Sequence, residues 1–294
     1  MKYDTCHEPI RVSIAGSGFV GSTIGKAFEL FGNKVTYLDV DKSKIDHLKN
    51  IGKEAYMMGD DRAPLGDITF ICAPTPTING KQDISYVVNA CETIAMIATY
   101  RIIVVKSTIL PGTMRSVIYP VIAKVVGRRD IRLYNNPEFL TEANPIYDFL
   151  HNKVVIGTDF TLYGNNDWGV SRLLELYKPF RVTKITTGWE EAEMIKYAAN
   201  LAFSNRVSFW DEIYKICTDL HIDPLVVAET TCLDKRIGTY GIRPIGKGYG
   251  GSCLPKDSEA FISWLNDKNI IDKNMEMLEP MNNLNKYFLE RKKK

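Results

Sequence analysis

The stretch Gly16-Ser-Gly-Phe-Val-Gly21 decides the fold because of what stands on either side of it. The alternating residues 10–16 predict a β-strand that runs into the glycine turn. A helical pattern then continues to about Phe31, and residues 34–39 predict a second strand. Strand, glycine-rich turn, helix and strand in this order are typical of the βαβ unit that binds a dinucleotide.

The three glycines have separate functions in such a turn. Gly16 and Gly18 allow a tight turn and the close approach of a pyrophosphate, while Gly21 lets the helix pack against the strand. Phe19 and Val20 open the helix, whose N-terminal N–H groups favour an anion. We therefore predict that these five residues bind the cofactor.

Asp39 stands at the end of the second strand, at about the spacing from the glycines that is expected of a ribose-binding carboxylate. A negative charge at this place repels a 2′-phosphate and so favours NAD over NADP. The alternative is that Asp39 is only a turn residue at the end of a strand.

Strands and helices keep alternating to about residue 187, which predicts a doubly wound, Rossmann-like α/β sheet. Pro74, Thr75 and Thr108 fall at carboxyl ends of strands, where such sheets bind ligands, so we predict that they contact the cofactor. The alternative for Thr108 is a cap of the next helix. The further predicted strands are 67–73, 101–108, a segment from 132, 153–157 and 181–185, and the helices are 85–100, 114–126 and 170–177.

Two glutamates follow Pro137 at a spacing of four, Glu138 and Glu142. If a turn of helix follows the proline, both carboxylates share one face. The alternative is a pair of ordinary exposed glutamates.

A helical pattern from Trp189 to about Asp219 contains neither proline nor glycine and predicts a helix about 45 Å long. Such a helix can join two domains and offer a face to a second subunit. We therefore predict a dinucleotide domain, residues 1–187, and an all-α central domain, residues 188–294, in a homodimer held through helix 189–219. Shorter helices are predicted at 224–233, 258–264 and in a last segment ending at Glu290.

Lys196 and Asn200 share a face of the long helix. Because Lys196 lies among apolar neighbours, it is a candidate buried amine with an altered pKa. The alternative is a lysine that extends its ammonium group to solvent.

A second glycine-rich stretch, residues 246–257, ends in Ser-Cys-Leu-Pro-Lys-Asp. Cys253 is a candidate nucleophile, Lys256 a nearby cation that favours the thiolate, and Asp257 a carboxylate able to orient water. The alternative is a turn with a buried, unreactive cysteine.

The composition is that of an ordinary globular protein: 294 residues, 45% hydrophobic, 24% charged, with a net charge of +2. This balance gives no reason to expect nucleic acid or a membrane as a partner. The six cysteines form no CxxC pair, which predicts free thiols in a reducing compartment and no metal site. The polar first residues and the absence of an apolar run long enough to span a membrane predict a cytoplasmic protein.

The chain resembles the UDP-glucose/GDP-mannose dehydrogenase family, most closely its UDP-glucose 6-dehydrogenases. Matching motifs fall in order over nearly the whole chain and are together highly specific. They are Gly16-x-Gly-x-x-Gly21, Ala73-Pro-Thr-Pro76, Lys106-Ser-Thr108, Asn136-Pro-Glu-Phe-Leu140 with Glu142, Lys196-x-x-x-Asn200, Arg236-Ile-Gly238 and Gly248-Tyr-Gly-Gly-Ser-Cys-Leu-Pro-Lys-Asp257.

The resemblance implies an enzyme of nucleotide sugar metabolism and polysaccharide biosynthesis. It would oxidise UDP-glucose to UDP-glucuronate in two NAD-dependent steps. Cys253 would form a thiohemiacetal and then a thioester with the substrate carbon, and Lys196 and Asn200 would stabilise the oxyanion. Three residues would handle water and hydrolysis: Asp257, Thr108 and Glu138.

The resemblance also implies ligand contacts away from the thiol. Lys44 would lie near the ribose of the cofactor, and Arg236 would reach the substrate of a neighbouring subunit. The implied substrate-binding residues are Glu142, Arg236, Tyr249, Gly250 and Lys256.

The chain departs from the family pattern in lacking the C-terminal third domain, which helps to hold the nucleotide. The loop 240–246 also carries an additional residue. Two alternatives therefore stay open: a shortened NAD-binding homologue with little or no activity, and a dehydrogenase of another sugar nucleotide, GDP-mannose or a UDP-amino sugar.

Overall fold

The computed structural model describes residues 8–97, 101–127, 131–242, 245–270 and 277–291. The chain divides into two compact units. The first comprises Met1–Thr75 and Asp83–Lys196, and the second Pro76–Gln82 and Tyr197–Lys294. The division at residue 188 stays a prediction.

The described residues contain strands and helices in regular alternation over the first unit. The strands are β1 (Arg11–Ala15), β2 (Lys34–Asp39), β3 (Glu54–Met57), β4 (Ile68–Ile71), β5 (Thr77–Ile78), β6 (Lys81–Gln82), β7 (Arg101–Val105), β8 (Ile131–Asn135), β9 (Val154–Thr158) and β10 (Lys184–Gly188). The helices are α1 (Phe19–Leu30), α2 (Lys42–Asn50), α3 (Ser85–Ile97), α4 (Tyr119–Val126), α5 (Pro145–His151), α6 (Phe160–Tyr163), α7 (Trp168–Leu176), α8 (Trp189–Asp219), α9 (Pro224–Thr231), α10 (Leu254–Asp267) and α11 (Leu278–Arg291).

The first unit is built on an eight-stranded sheet in the order β10-β9-β8-β7-β4-β1-β2-β3. All pairs are parallel except β8–β9, so β9 and β10 run against the other six strands. The predicted α/β class with a Rossmann-like sheet and a following helical region is confirmed. The strand order reverses at β1, between β2 and β4, which is the place where such sheets bind ligands.

Each face of this sheet is covered by a separate apolar cluster, because alternate strand residues point to opposite faces. Val12 and Ile14 of β1 pack on one face with Phe28 of α1. Ile103 and Val105 of β7 pack on the other. The strands are therefore buried on both sides and have near-continuous apolar sequences.

Several predicted elements have the bounds that the sequence indicated, and others differ. Strand β2 and helix α8 match the predictions. The predicted helix 114–126 begins with a π-helical turn, Met114–Ile118, before α4. Residues 98–100 of the predicted helix 85–100 lie outside the described residues, as do the first seven residues and the basic C-terminus.

The second unit contains the remainder of α8, helices α9–α11 and the small antiparallel hairpin β5–β6. Trp210, Ala228, Cys232 and Ile242 form a buried apolar cluster in it. Tyr197 donates nothing to the sheet but stacks on Phe261 of α10 at 5.1 Å between ring centroids. Among the helices of the described ranges, none combines the length and apolarity needed to cross a bilayer.

Candidate active site

The glycine turn after β1 has the backbone conformation and the free space that a dinucleotide needs. Gly16 has φ +99°, and a Cβ there would lie 2.8 Å from the carbonyl oxygen of Cys72. A Cβ at Gly21 would lie 1.9 Å from the Gly16 oxygen, whereas a Cβ at Gly18 would meet nothing within 4 Å. Helix α1 starts without a side-chain cap at Gly18 and without an acidic residue in its first turn. Its N-terminus therefore fits an anionic pyrophosphate.

Asp39 is brought to this turn by the pairing of β1 with β2. Its Oδ2 accepts the Ser17 backbone N–H at 2.7 Å, and its Oδ1 accepts the Asp41 N–H at 3.0 Å. The Lys44 Nζ lies 3.6 Å from Oδ2. The structure thus combines both interpretations of Asp39, since the carboxylate shapes the turn at the strand end and also faces the glycine loop.

The other predicted cofactor residues lie at the same edge of the sheet. Pro74 and Thr75 follow β4, with Pro74 exposed and Thr75 buried. Thr108 is buried and lies three residues beyond the end of β7. Phe19 is 48% exposed at the start of α1, and Val20 is partly buried beside the sheet core.

Glu138 and Lys196 meet in the first unit as a buried ion pair with an Nζ–Oε1 distance of 2.9 Å. The second oxygen, Oε2, accepts the Leu140 backbone N–H at 2.6 Å. The Lys196 ammonium also lies 5.5 Å from the centroid of the Phe139 ring. Lys196 is therefore a buried amine, not a solvent-directed one.

The helical turn considered after Pro137 is absent: residues 136–144 have no helix, and α5 begins only at Pro145. The Glu138 side chain bonds to a backbone N–H two residues on, which competes with a helical turn. Glu138 is consequently buried and Glu142 exposed, so the two carboxylates share no helix face.

Lys106 belongs to this cluster but received no role in the sequence analysis. It is 3% exposed, and its Nζ donates to Asn136 Oδ1 at 2.9 Å and to the Pro137 oxygen at 3.4 Å. Burial lowers its pKa to about 8, and the charge of Lys196 acts in the same direction. Its one sequence signal is a lysine directly after an apolar strand.

A second residue missed by sequence reasoning is Glu193, 1% exposed in α8. Its carboxylate accepts the backbone N–H groups of Gly112 at 2.6 Å and Met114 at 2.7 Å. It therefore holds the loop that follows Thr108. Burial raises the pKa of Glu193 to about 8, although both N–H bonds oppose this shift.

In the second unit, Asn200 Nδ2 donates to Asp257 Oδ2 at 2.7 Å, and Lys256 Nζ lies 2.5 Å from Asp257 Oδ1. Asp257 and Asn200 are buried, while Cys253 is exposed. Helix α10 begins at Leu254, four residues before the predicted start near Ser258. Cys253 is thus its N-cap residue and Asp257 lies in its first turn. An exposed thiol contradicts the alternative of a buried, unreactive cysteine.

The predicted substrate residues of the second unit have contrasting surroundings. Tyr249 is buried, and its backbone N–H donates to Asn285 Oδ1 at 2.6 Å. Gly250 is exposed with open space around it. Arg236 is exposed, and its guanidinium lies 2.6 Å from Asp234. Part of the loop with the additional residue, 243–244, lies outside the described residues.

The residues of each unit therefore supply matching chemistry. The first unit offers a dinucleotide turn and a buried ammonium–carboxylate pair, and the second an exposed thiol followed by a buried carboxylate. Thiol, ammonium and carboxylate are the groups that nucleophilic capture of a carbonyl and hydrolysis of the adduct require.

Comparison with known protein families gives two adjoining matches. Residues 57–181 match the NAD binding domain of the UDP-glucose/GDP-mannose dehydrogenase family, and residues 190–287 match its central domain. The glycine turn at 16–21 precedes the first of these matches.

The chain is similar to curated and solved proteins of matching description. A UDP-glucose 6-dehydrogenase of Bacillus subtilis is 35% identical over 86% of this chain and 58% of that protein. A GDP-mannose 6-dehydrogenase of Pseudomonas aeruginosa is 32% identical over 85% of this chain and 63% of that protein. The solved UDP-glucose dehydrogenase of Pyrobaculum islandicum has 29% identity and a TM-score of 0.85, covering 95% of this chain and 68% of that chain. The chain thus spans less than two thirds of the length of these curated relatives.

Proposed function

This chain belongs to the UDP-glucose/GDP-mannose dehydrogenase family, with NAD as its cofactor, and we propose that it oxidises UDP-glucose to UDP-glucuronate. The observation that carries the proposal is the placement of Cys253, an exposed thiol at the start of α10. One turn later in the same helix stands Asp257, a buried carboxylate held by Asn200. A nucleophile followed by a carboxylate is what a covalent oxidation ending in hydrolysis requires.

NAD, when bound, supplies the hydride acceptor for both oxidations. The residues that would hold it are the glycine turn with Asp39 and Lys44, together with Pro74, Thr75 and Thr108. Asp39 accepts one N–H bond on each carboxylate oxygen and keeps lone pairs for the ribose hydroxyl groups. Its charge excludes a 2′-phosphate.

The thiol makes the second oxidation possible, because an aldehyde loses hydride only after a nucleophile has added to its carbonyl. The Cys253 Sγ forms a bond to the aldehyde carbon, and the carbonyl oxygen takes up negative charge. The Lys196 ammonium and the Asn200 amide are the donors that would stabilise this oxyanion. Oxidation of the adduct leaves a thioester on Sγ.

Hydrolysis then needs a water and a base. Asp257 would orient and deprotonate that water, and its product is the carboxylate and the free thiol. Glu138 and Thr108 would assist as hydrogen-bond partners. Substrate contacts are proposed for Tyr249 and Gly250, with Glu142, Arg236 and Lys256 as the further substrate-binding residues.

A homodimer through helix 189–219 is part of the proposal. Phe209 and Ile216 of α8 are about half exposed, and Leu220, Leu225 and Val226 continue an apolar surface into α9. Exposed apolar patches of this kind mark protein interfaces. In such a dimer Arg236 would reach the substrate of the neighbouring subunit. Light scattering on the purified chain tests the assembly, and a monomer at all concentrations contradicts it.

The activity is tested by NADH formation with UDP-glucose. We expect two NADH per UDP-glucuronate, and loss of the acid product in Cys253→Ser. Cys232→Ser, which alters a buried thiol of the same unit, is the matched control. Cys253→Ser with parental rates would refute the thioester. GDP-mannose and UDP-amino sugars run in parallel identify another substrate, and no NADH with any of them favours the inactive NAD-binding homologue.

A further inference from the structure

The glycine-rich stretch 246–257 is held at both ends by the same helix, α8. At its start, Asp211 Oδ1 accepts the Gly246 N–H at 2.6 Å and Asp211 Oδ2 accepts the Gly248 N–H at 3.0 Å. At its end, Asn200 donates to Asp257 at 2.7 Å. The thiol of Cys253 lies between these two anchors in the chain.

The glycines explain why a side chain of α8 can reach the backbone here. Gly246 has φ +75° and Gly248 has φ +71°, a region that other residues rarely adopt. A Cβ at Gly246 would lie 2.7 Å from the Tyr214 ring, and one at Gly248 would lie 2.7 Å from Asn285 Oδ1. The backbone therefore packs directly against α8 and α11, with its N–H groups turned towards Asp211.

Asp211 has no exposed surface, with 0% relative accessibility. A carboxylate in such a place is stabilised by charge-assisted bonds from backbone N–H groups, and each oxygen takes one of them. A buried carboxylate also makes the arrangement specific, because loss of the acceptor leaves two N–H groups of a packed turn without it.

The segment between the anchors is much less supported. Gly250, Gly251, Ser252 and Cys253 are all exposed, and a Cβ at either glycine would meet nothing within 4 Å. The position of the thiol therefore depends on where the two ends of the stretch are fixed.

We propose that Asp211 is a positioning residue for Cys253, acting through the backbone of Gly246 and Gly248. This role rests on the proposed function, since it concerns the geometry of thiol addition. What Asp211 supplies is a pair of acceptor oxygens, so an amide in its place retains part of the effect. An error of about 1 Å in the place of a nucleophile costs about a hundredfold in rate.

Hydrogen–deuterium exchange of peptides covering 246–253 tests the anchor without any activity. We expect Asp211→Ala to raise exchange about tenfold, and Asp211→Asn, which keeps one acceptor oxygen, to raise it about threefold. Glu212→Ala removes the exposed carboxylate of the next residue and leaves exchange at the parental rate. Unchanged exchange in both Asp211 variants overturns the anchor, and Asp211→Asn decides it alone if Asp211→Ala does not fold.

Kinetics then test the positioning. In Asp211→Ala we expect kcat for UDP-glucuronate formation to fall about tenfold or more with KM for NAD unchanged, and Asp211→Asn to recover most of kcat. Raised exchange with parental kcat overturns the positioning role. A parent chain that forms no NADH overturns the proposed function and this role together, and the parent's own assay reports that before any variant is compared.

Discussion

The carboxylate of Glu138 lies 2.9 Å from the ammonium group of Lys196, and neither side chain is more than 8% exposed. A buried pair of this kind is expensive to break, because removal of one partner leaves the other charge buried without compensation. The pair also fixes the amine that we assign to the oxyanion.

Glu138→Leu is expected to lower the free energy of unfolding by about 3 kcal/mol or more, because Lys196 loses its counter-charge inside the protein. Glu138→Gln keeps an acceptor oxygen and costs less. Urea unfolding at neutral pH measures both. Glu142→Gln, at an exposed glutamate nearby in sequence, is the control and changes stability by about 0.5 kcal/mol at most. Equal losses in Glu138→Leu and Glu142→Gln would show that the buried pair contributes nothing.

Glu193 predicts a pH dependence of stability. Burial raises its pKa from 4.5 to about 8, so folding takes up a proton between these values. The contribution to stability is complete below pH 4.5 and is lost as the pH rises through about 8. Glutamine imitates the protonated acid, and Glu193→Gln should therefore flatten the fall in unfolding free energy above about pH 5.

Unfolding curves collected across this pH range test the prediction. Glu191→Gln removes an exposed carboxylate two residues earlier in α8 and should keep the parental slope. Parallel slopes for Glu193→Gln and the parent would place the titration of Glu193 outside this range.

Lys106 predicts the opposite sign. Burial lowers its pKa from 10.5 to about 8, so the unfolded chain holds an additional proton between these values. Its contribution to stability is present above pH 10.5 and is lost as the pH falls through about 8. Lys106→Met removes this titration, and we expect its unfolding free energy to rise less than that of the parent between about pH 8 and about pH 10. Lys124→Met, at an exposed lysine of α4, is the control, and a parental slope in Lys106→Met would argue against the lowered pKa.

The sheet and the glycine turn were predictable because local patterns determine them. The strand Lys34–Asp39 is an apolar run that ends in a turn, and the glycines that follow β1 have few other uses in that position. Strand direction has no such local signal, so the antiparallel pairing of β8 with β9 could not be predicted. The hairpin Thr77–Gln82 has two-residue strands, too short to show a period of two.

The site was predictable residue by residue but not in its pairs. Glu138 and Lys196 are far apart in sequence, and only the fold brings them together. The start of α10 was placed too late because Leu-Pro-Lys-Asp suggests a loop, although proline is well suited to the first turn of a helix. Asp211 and Glu193 act by accepting backbone N–H groups, which no sequence motif reveals.

Two glycines of the dinucleotide turn separate NAD binding from folding. A Cβ at Gly18 would meet no protein atom within 4 Å, whereas a Cβ at Gly21 would lie 1.9 Å from the Gly16 oxygen. We expect Gly18→Ala to keep the parental Tm and to bind NAD about tenfold more weakly, because its methyl group enters the space into which the pyrophosphate fits. Gly21→Ala should instead lower Tm, since α1 must move away from β1.

Titration calorimetry with NAD and thermal unfolding measure the two effects in the same samples. Gly52→Ala is a useful reference, because Gly52 also has open space for a Cβ but has φ +76° and lies away from the turn, so it reports backbone strain alone. If Gly18→Ala binds NAD as tightly as the parent does, the pyrophosphate does not lie against this glycine. The open N-terminus of α1 would then need another occupant.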